Sequence, residues 1–165
     1  MRRRAALAVI CSSGFSGCGY RLRGSTGAES GAALERSVHV NAPAALKDAL
    51  LRSLSQHGAY AASKPAEASL RLNVLDQRFE RRLLSVDAVT GKEREFELLY
   101  LVHFEASRSG GGEVLAEQSV KVLRDIVITT DAIVARQREE QTVAIEMREA
   151  AAAQIARRLS VAVKA

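Results

Sequence analysis

Between Glu95 and Glu105 every second residue is large and apolar: Phe96, Leu98, Tyr100, Val102 and Phe104 share one side of an extended chain, while Glu95, Glu97, Leu99, Leu101, His103 and Glu105 share the other. Successive strand side chains point to opposite faces, so this run reads as a strand with one face covered by another layer. On a helix the same rings would be scattered around the circumference. The fold is therefore bound to contain a sheet and something to lay upon it.

The covering layer is also visible. Thr129-Thr130-Asp131 reads as a helix N-cap, and about thirty residues without Gly or Pro follow, rich in Ala, Glu, Gln and Arg. Ala144, Met147, Ala151 and Ile155 make the apolar stripe of this helix, with Leu159 nearby; the small alanines permit close approach to a sheet. A shorter helix precedes the sheet run. Asn41 followed by Pro43 signals its start, Leu46, Leu50, Leu54 and His57 recur at helical spacing, and Gly58 reads as its C-cap.

Three further strands complete the pattern. Ser37-Val38-His39-Val40-Asn41 is short; Leu70, Leu72 and Val74 begin a second strand that runs towards Leu84; Val114, Ala116, Val120 and Val122 mark one that reaches Val127, with Gln118 interrupting the alternation. Thr90-Gly91-Lys92 reads as a hairpin, and the stretch from Ser107 to Gly112 as a polar turn. The order β-α-β-β-β-α predicts an α+β two-layer sandwich: a four-stranded, mainly antiparallel sheet with two helices on one face. A chain of 165 residues, 47% apolar and 26% charged, has room for one such core and offers no repeat or linker marking a second.

The first residues belong to another category. Met1-Arg2-Arg3-Arg4, an apolar stretch from Ala5 to Cys11, and small residues before Cys18 have the layout of a secretory signal. The apolar stretch falls far short of the roughly 20 residues that cross a bilayer as a helix. Phe15-Ser16-Gly17-Cys18 resembles the bacterial lipobox, with Phe15 in place of the usual Leu, so acylation is the expected use of Cys18; cleavage leaving a free thiol is the alternative. With Cys11 inside the apolar stretch, cleavage leaves no intramolecular disulfide. Two or more acyl chains anchor stably where one does not. Gly19 stands where Asp would retain such a protein at the inner membrane, which implies the outer membrane. The expected organisation is residues 1–17 as signal peptide, 18–33 as lipidated cysteine and Gly/Ser-rich tether, and 34–165 as a single domain.

Cleavage also changes the charge. The full chain carries 24 basic and 19 acidic side chains, but removing Arg2, Arg3 and Arg4 leaves 21 against 19. An excess of only two puts any recognition of an anion on local patches. Arg78, Arg81 and Arg82 cluster in one strand, and Arg124, Arg136 and Arg138 flank the start of the last helix. Nucleic acid is disfavoured by export and by an aromatic content of 4%, which leaves few stacking platforms. A solvated surface is the ordinary use of these arginines, and an anionic lipid headgroup is a reasonable partner for them.

Catalytic constellations are lacking. His39, His57 and His103 fall on different elements without partners at metal-ligand spacing. Gly110-Gly111-Gly112 precedes Glu113 and not the Gly-Lys-Ser/Thr of a phosphate loop, no Gly-x-Ser-x-Gly is present, and Glu139-Glu140 reads as a solvated helical face with i,i+4 partners.

Four segments together resemble the LPS-assembly lipoprotein family LptE: Gly17-Cys18-Gly19-Tyr20-Arg21-Leu22-Arg23-Gly24, the stretch from Gly91 to Leu98, Val120 to Asp125, and the tail from Glu146 to Leu159. The resemblance implies a non-enzymatic, cofactor-free protein that plugs the outer-membrane β-barrel LptD, supports its assembly and binds lipopolysaccharide. It places lipopolysaccharide contacts on basic side chains near the middle hairpin and near the start of the last helix. Arg136 matches the second place. At the first the matching position is Val89, a departure, with Lys92 and Arg94 close by. Arg meets a phosphate of lipid A with a bidentate, charge-assisted pair. An auxiliary, periplasm-facing lipoprotein of a different lipid transporter is the alternative, and a secreted hydrolase a third with no candidate nucleophile.

Overall fold

The computed structural model describes residues 36–128 and 133–163. The signal segment, Cys18, the tether and the Thr129-Thr130-Asp131 cap lie outside the described residues. The elements are β1 (Ser37–Asn41), α1 (Ala44–Gln56), β2 (Tyr60–Ala61), a single 3₁₀ turn (Pro65–Glu67), β3 (Leu70–Val86), β4 (Glu93–Arg108), β5 (Glu113–Val127) and α2 (Ile133–Ala162).

The strict alternation of β4 is realised in its burial. Phe96, Tyr100, Val102 and Phe104 are fully buried in β4 and Leu98 nearly so, in one cluster with Leu46, Leu50 and Leu54 of α1 and Met147, Ala151, Ile155 and Leu159 of α2. Ala144 is only partly buried, and Ala152 and Ala156 complete the buried stripe of α2. Five strands, and not four, form the sheet, in the order β2-β1-β3-β4-β5. The extra strand is two residues long. Tyr60 and Ala61 are exposed, so no hydrophobic period announces them; backbone bonds from Tyr60 N–H to Arg36 and from Ala62 N–H to Val38 hold them beside β1. The sheet is mixed, because β1 runs parallel to both β2 and β3, while β3, β4 and β5 are antiparallel.

The expected start of α1 differs in detail. Asn41 ends β1, and the residue before the helix is Pro43, whose carbonyl accepts from Leu46 and Lys47 without any side-chain cap. Gly58 follows the helix at φ +81, a left-handed conformation that glycine adopts without strain.

β3 has two halves. Residues 70–73 pair on one side with β1 and on the other with β4, but from Asp76 onward β3 pairs only with β4 among the described residues. The second halves of β3, β4 and β5 thus form a three-stranded arm beyond β1. The register slips at Leu75, where one extra residue sits between Val74, opposite Phe104, and Asp76, opposite His103. Such a bulge inverts which residues face the helices. Leu70, Leu72 and Val74 point to the helix side before it; Gln77, Phe79, Arg81 and Leu83 do so after it, opposite Val102, Tyr100, Leu98 and Phe96. A second slip at Leu84 lies near the arm's end, and a slip between Phe104 and Ala106 explains the broken alternation at Gln118. Gln118 is taken up by α2, where Arg158 Nη1 donates to its Oε1 at 3.2 Å and to the Ser119 carbonyl at 2.9 Å.

Removing a ring from the centre of this core leaves a cavity that the strands cannot close. Phe104→Ala is expected to cost about 3–5 kcal/mol of unfolding free energy. Tyr60→Ala, at a side chain 62% exposed, is expected to cost less than about 0.5 kcal/mol in the same denaturant titration.

Candidate functional site

The three-stranded arm and the first half of α2 bring together the residues on which the sequence put its anion contacts. At the arm's end β3 turns into β4 through Asp87 to Lys92. Asp87 Oδ1 accepts from the backbone N–H groups of Val89 and Thr90 at 3.1 and 2.8 Å and from Thr90 Oγ1 at 2.9 Å. These bonds hold the Asp87 carboxyl below the usual carboxylate range, with a smaller contribution from the charge of Arg94. Gly91 closes the turn at φ +67. The hairpin reading was sound, although the turn is wider than Thr90-Gly91-Lys92.

Arg81 organises the space between this hairpin and α2. Its guanidinium makes a two-pronged pair with Glu93, Nη1 to Oε1 at 3.0 Å and Nη2 to Oε2 at 2.6 Å, lies 4.1 Å from the centre of the Phe96 ring, and has Nε 3.8 Å from Oε1 of Glu140 on α2. The bond to Glu93 raises an already high guanidinium pKa. In return Arg81 holds the Glu93 carboxyl below its ordinary range, and the charge of Arg136 adds to the effect. Arg136, one helical turn from Glu140, therefore stands within electrostatic reach of Glu93, the first residue of β4 and the neighbour of Lys92 and Arg94. The structure brings the last-helix and hairpin positions, Arg136, Lys92 and Arg94, to one end of the molecule.

Further along, the Phe79 and Tyr100 rings stack with centroids 4.1 Å apart, and the Arg148 guanidinium of α2 lies 5.0 Å from the Phe79 ring. Tyr100 donates to Gln77 Oε1 at 2.6 Å, and burial pushes its hydroxyl pKa up to about 12. Cation–π contacts of this kind tie a polar helix face to aromatic strand residues.

Other expected groups are distributed differently. The strand cluster is neutralised locally: Arg78 and Arg82 both pair with Glu80, and Arg82 also approaches Glu97. Arg124 donates to the Leu123 carbonyl. Glu140 faces Arg81 and is not part of a purely solvated face, whereas Glu139 is exposed. His39 meets the Ala62 carbonyl, His57 ends α1, and His103 lies 3.4 Å from Glu117; among the described residues no three ligand-type side chains gather as a metal site. A dimple of about 60 Å³ between Ala49, Arg52, Ile145 and Arg148 is too small for more than a few waters.

Two features of the site escape the sequence reading. One is the central place of Arg81, which depends on the Leu75 slip. The other is a set of exposed aliphatic side chains at the arm's end: Leu83, Leu84, Val86 and Val127 at 49–53% and Val89 at 93%. The adjacent leucines at 83 and 84, breaking the alternation, were the available signal for both the second slip and this patch.

The architecture is that of a small α+β domain with one helix-covered sheet face and a projecting, amphipathic arm, and among the described residues no helix is long and apolar enough to cross a membrane. The profile of the family described as LptE, lipopolysaccharide-assembly, matches residues 35–159, and the chain belongs to that family. The fold is similar to the solution structure of an uncharacterized lipoprotein B from Nitrosomonas europaea, at 25% identity and a TM-score of 0.69 over 90% of this chain and 94% of that one. It is also similar to a minor lipoprotein from Acinetobacter baumannii (20% identity, TM-score 0.62, covering 76% and 90%) and to the rare lipoprotein B from Shewanella oneidensis (21%, 0.60, covering 78% and 93%). No curated protein matches the chain by sequence.

The Arg81–Glu93 pair gives the fold an acid-side dependence. A carboxyl whose pKa falls on folding stabilises above its unfolded value and loses that contribution as pH drops through the folded one. Glu93→Gln is therefore expected to melt below wild type at neutral pH, with the gap closing as the pH falls beneath the ordinary glutamate range. A gap that stays constant with pH would show that the Glu93 charge is not what matters.

Proposed function

We propose that the protein is an outer-membrane lipoprotein, held on the periplasmic side by acylated Cys18, that forms a complex with the LptD β-barrel as plug and assembly factor and binds lipopolysaccharide on its way to the outer leaflet. It is read as a binding protein and not an enzyme, and as needing no cofactor. Membership of the lipopolysaccharide-assembly family over residues 35–159 is the observation that carries this reading, and it favours lipopolysaccharide over the cargo of a different lipid transporter.

The site geometry supports the assignment of the contacts. The charge of Arg136 reaches Glu93, the residue between Lys92 and Arg94, and the neighbouring carboxylates are engaged within the fold: Asp87 by its turn, Glu93 by Arg81, Glu95 by the Ser85 hydroxyl at 3.1 Å. Guanidinium groups beside satisfied carboxylates are suited to phosphate oxygens. Val89 contributes no charge, so in this chain Lys92 and Arg94 take the hairpin's share.

Two measurements test the reading. A tagged full-length chain, purified from outer membranes, is expected to bring down a large β-barrel; repeated recovery without one sinks the complex. Arg136→Ala is expected to weaken lipopolysaccharide binding roughly tenfold, as loss of one charge-assisted contact does, with an unchanged melting temperature. Equal binding by wild type and variant would remove Arg136 from the site.

A further inference from the structure

We propose that the aliphatic side chains of the hairpin at the arm's end, Leu83, Leu84, Val86 and Val89, form a ledge that takes the acyl chains of the same anionic amphiphile whose phosphates meet Arg136, Lys92 and Arg94. This inference rests on the lipopolysaccharide reading above. It adds a second half to the site, an apolar one, that the charged residues do not require.

Three observations carry it. The first is exposure without compensation: four aliphatic side chains of the hairpin are half exposed or more, and Val89, at the tip of the turn, is 93% exposed. Scattered apolar residues are ordinary on a surface, but four of these, Leu83, Leu84, Val86 and Val89, lie within seven residues of one hairpin, a concentration that marks a contact surface. The second is the local backbone. The slip at Leu84 places Leu83 opposite Phe96 and Ser85 opposite Glu95, so Leu84 is the unpaired extra residue, 53% exposed, and a further slip follows before Val86. A bulge that re-aims a side chain outward at a strand end serves a contact better than it serves packing. The third is the neighbouring charge. Val86 pairs with Glu93, the carboxylate that feels both Arg81 and Arg136, and the turn from Asp87 to Lys92 is the same turn that carries Val89. Apolar and cationic groups thus share a few residues of chain, an arrangement complementary to an anionic headgroup joined to hydrocarbon.

The test uses the full-length lipoprotein and two probes, intact lipopolysaccharide and lipopolysaccharide stripped of its acyl chains, with binding measured in dilute detergent. Wild type is expected to prefer the intact probe. The double variant Leu84→Ser/Val89→Ser is expected to lose roughly a hundredfold towards the intact probe, about the worth of two aliphatic side chains kept wet, and nothing towards the stripped one. The substituted side chains are exposed, so melting is expected to be unchanged, and Leu84→Ile/Val89→Ile is expected to keep the preference. A serine variant that retains the full preference overturns the ledge while leaving the lipopolysaccharide reading intact. A serine variant that binds both probes as wild type does but no longer recovers the barrel makes the ledge a protein contact, and also overturns the proposal. Wild type that binds neither probe removes the underlying reading together with the ledge.

Discussion

The single extra residue at Leu75 decides what the rest of β3 can do. Before it, Leu70, Leu72 and Val74 point into the core; after it, the inward set is Gln77, Phe79, Arg81 and Leu83. Without the slip, Arg78, Glu80 and Arg82 would face α2 in their place, and a helix that buries Met147, Ala151 and Ile155 further along would meet three charges. With it, Phe79 stacks on Tyr100 under Arg148, and Arg81 lies on Phe96 while it grips Glu93 and reaches Glu140. The arm is tied to α2 by contacts that are aromatic and ionic, where the body of the domain is tied by aliphatic packing.

That division fits a domain with two tasks. The body, from β1 and α1 to the second half of α2, is built of fully buried residues and holds its shape by the hydrophobic effect. The arm has one side of β3 without a neighbouring strand among the described residues, exposed aliphatic groups at its end and cations near the turn. An unpaired strand edge is hazardous when long and flat, and the two slips in β3 interrupt it as bulges do in other sheets.

Much of the fold could be read in advance because its period is clean. β4 alternates strictly, α1 repeats leucine every fourth residue, and the last helix lacks glycine and proline. What could not be read had a physical reason in each case. β2 is two exposed residues held by backbone bonds, so nothing in its side chains reports it. Each slip in β3 adds one residue to an otherwise regular strand, and sequence alternation alone does not say which residue is the extra one. The positions of Arg136, Lys92 and Arg94 came from family resemblance; the reach of the Arg136 charge to Glu93, and the role of Arg81 there, required the cross-strand register. Glu140 was legible as a charged helix residue but not as the partner of a strand arginine far away in sequence.

In the proposed function the end of the arm, and not the opposite edge of the sheet, meets lipid. Site-specific photo-crosslinking tests it most directly, with the same photoreactive side chain placed in turn at Leu84, Val89, Arg138 and Tyr60, all exposed, in the full-length protein exposed to lipopolysaccharide. Adducts are expected at the first three positions and none at Tyr60. Adducts at Tyr60 as strong as those at Val89 would contradict it.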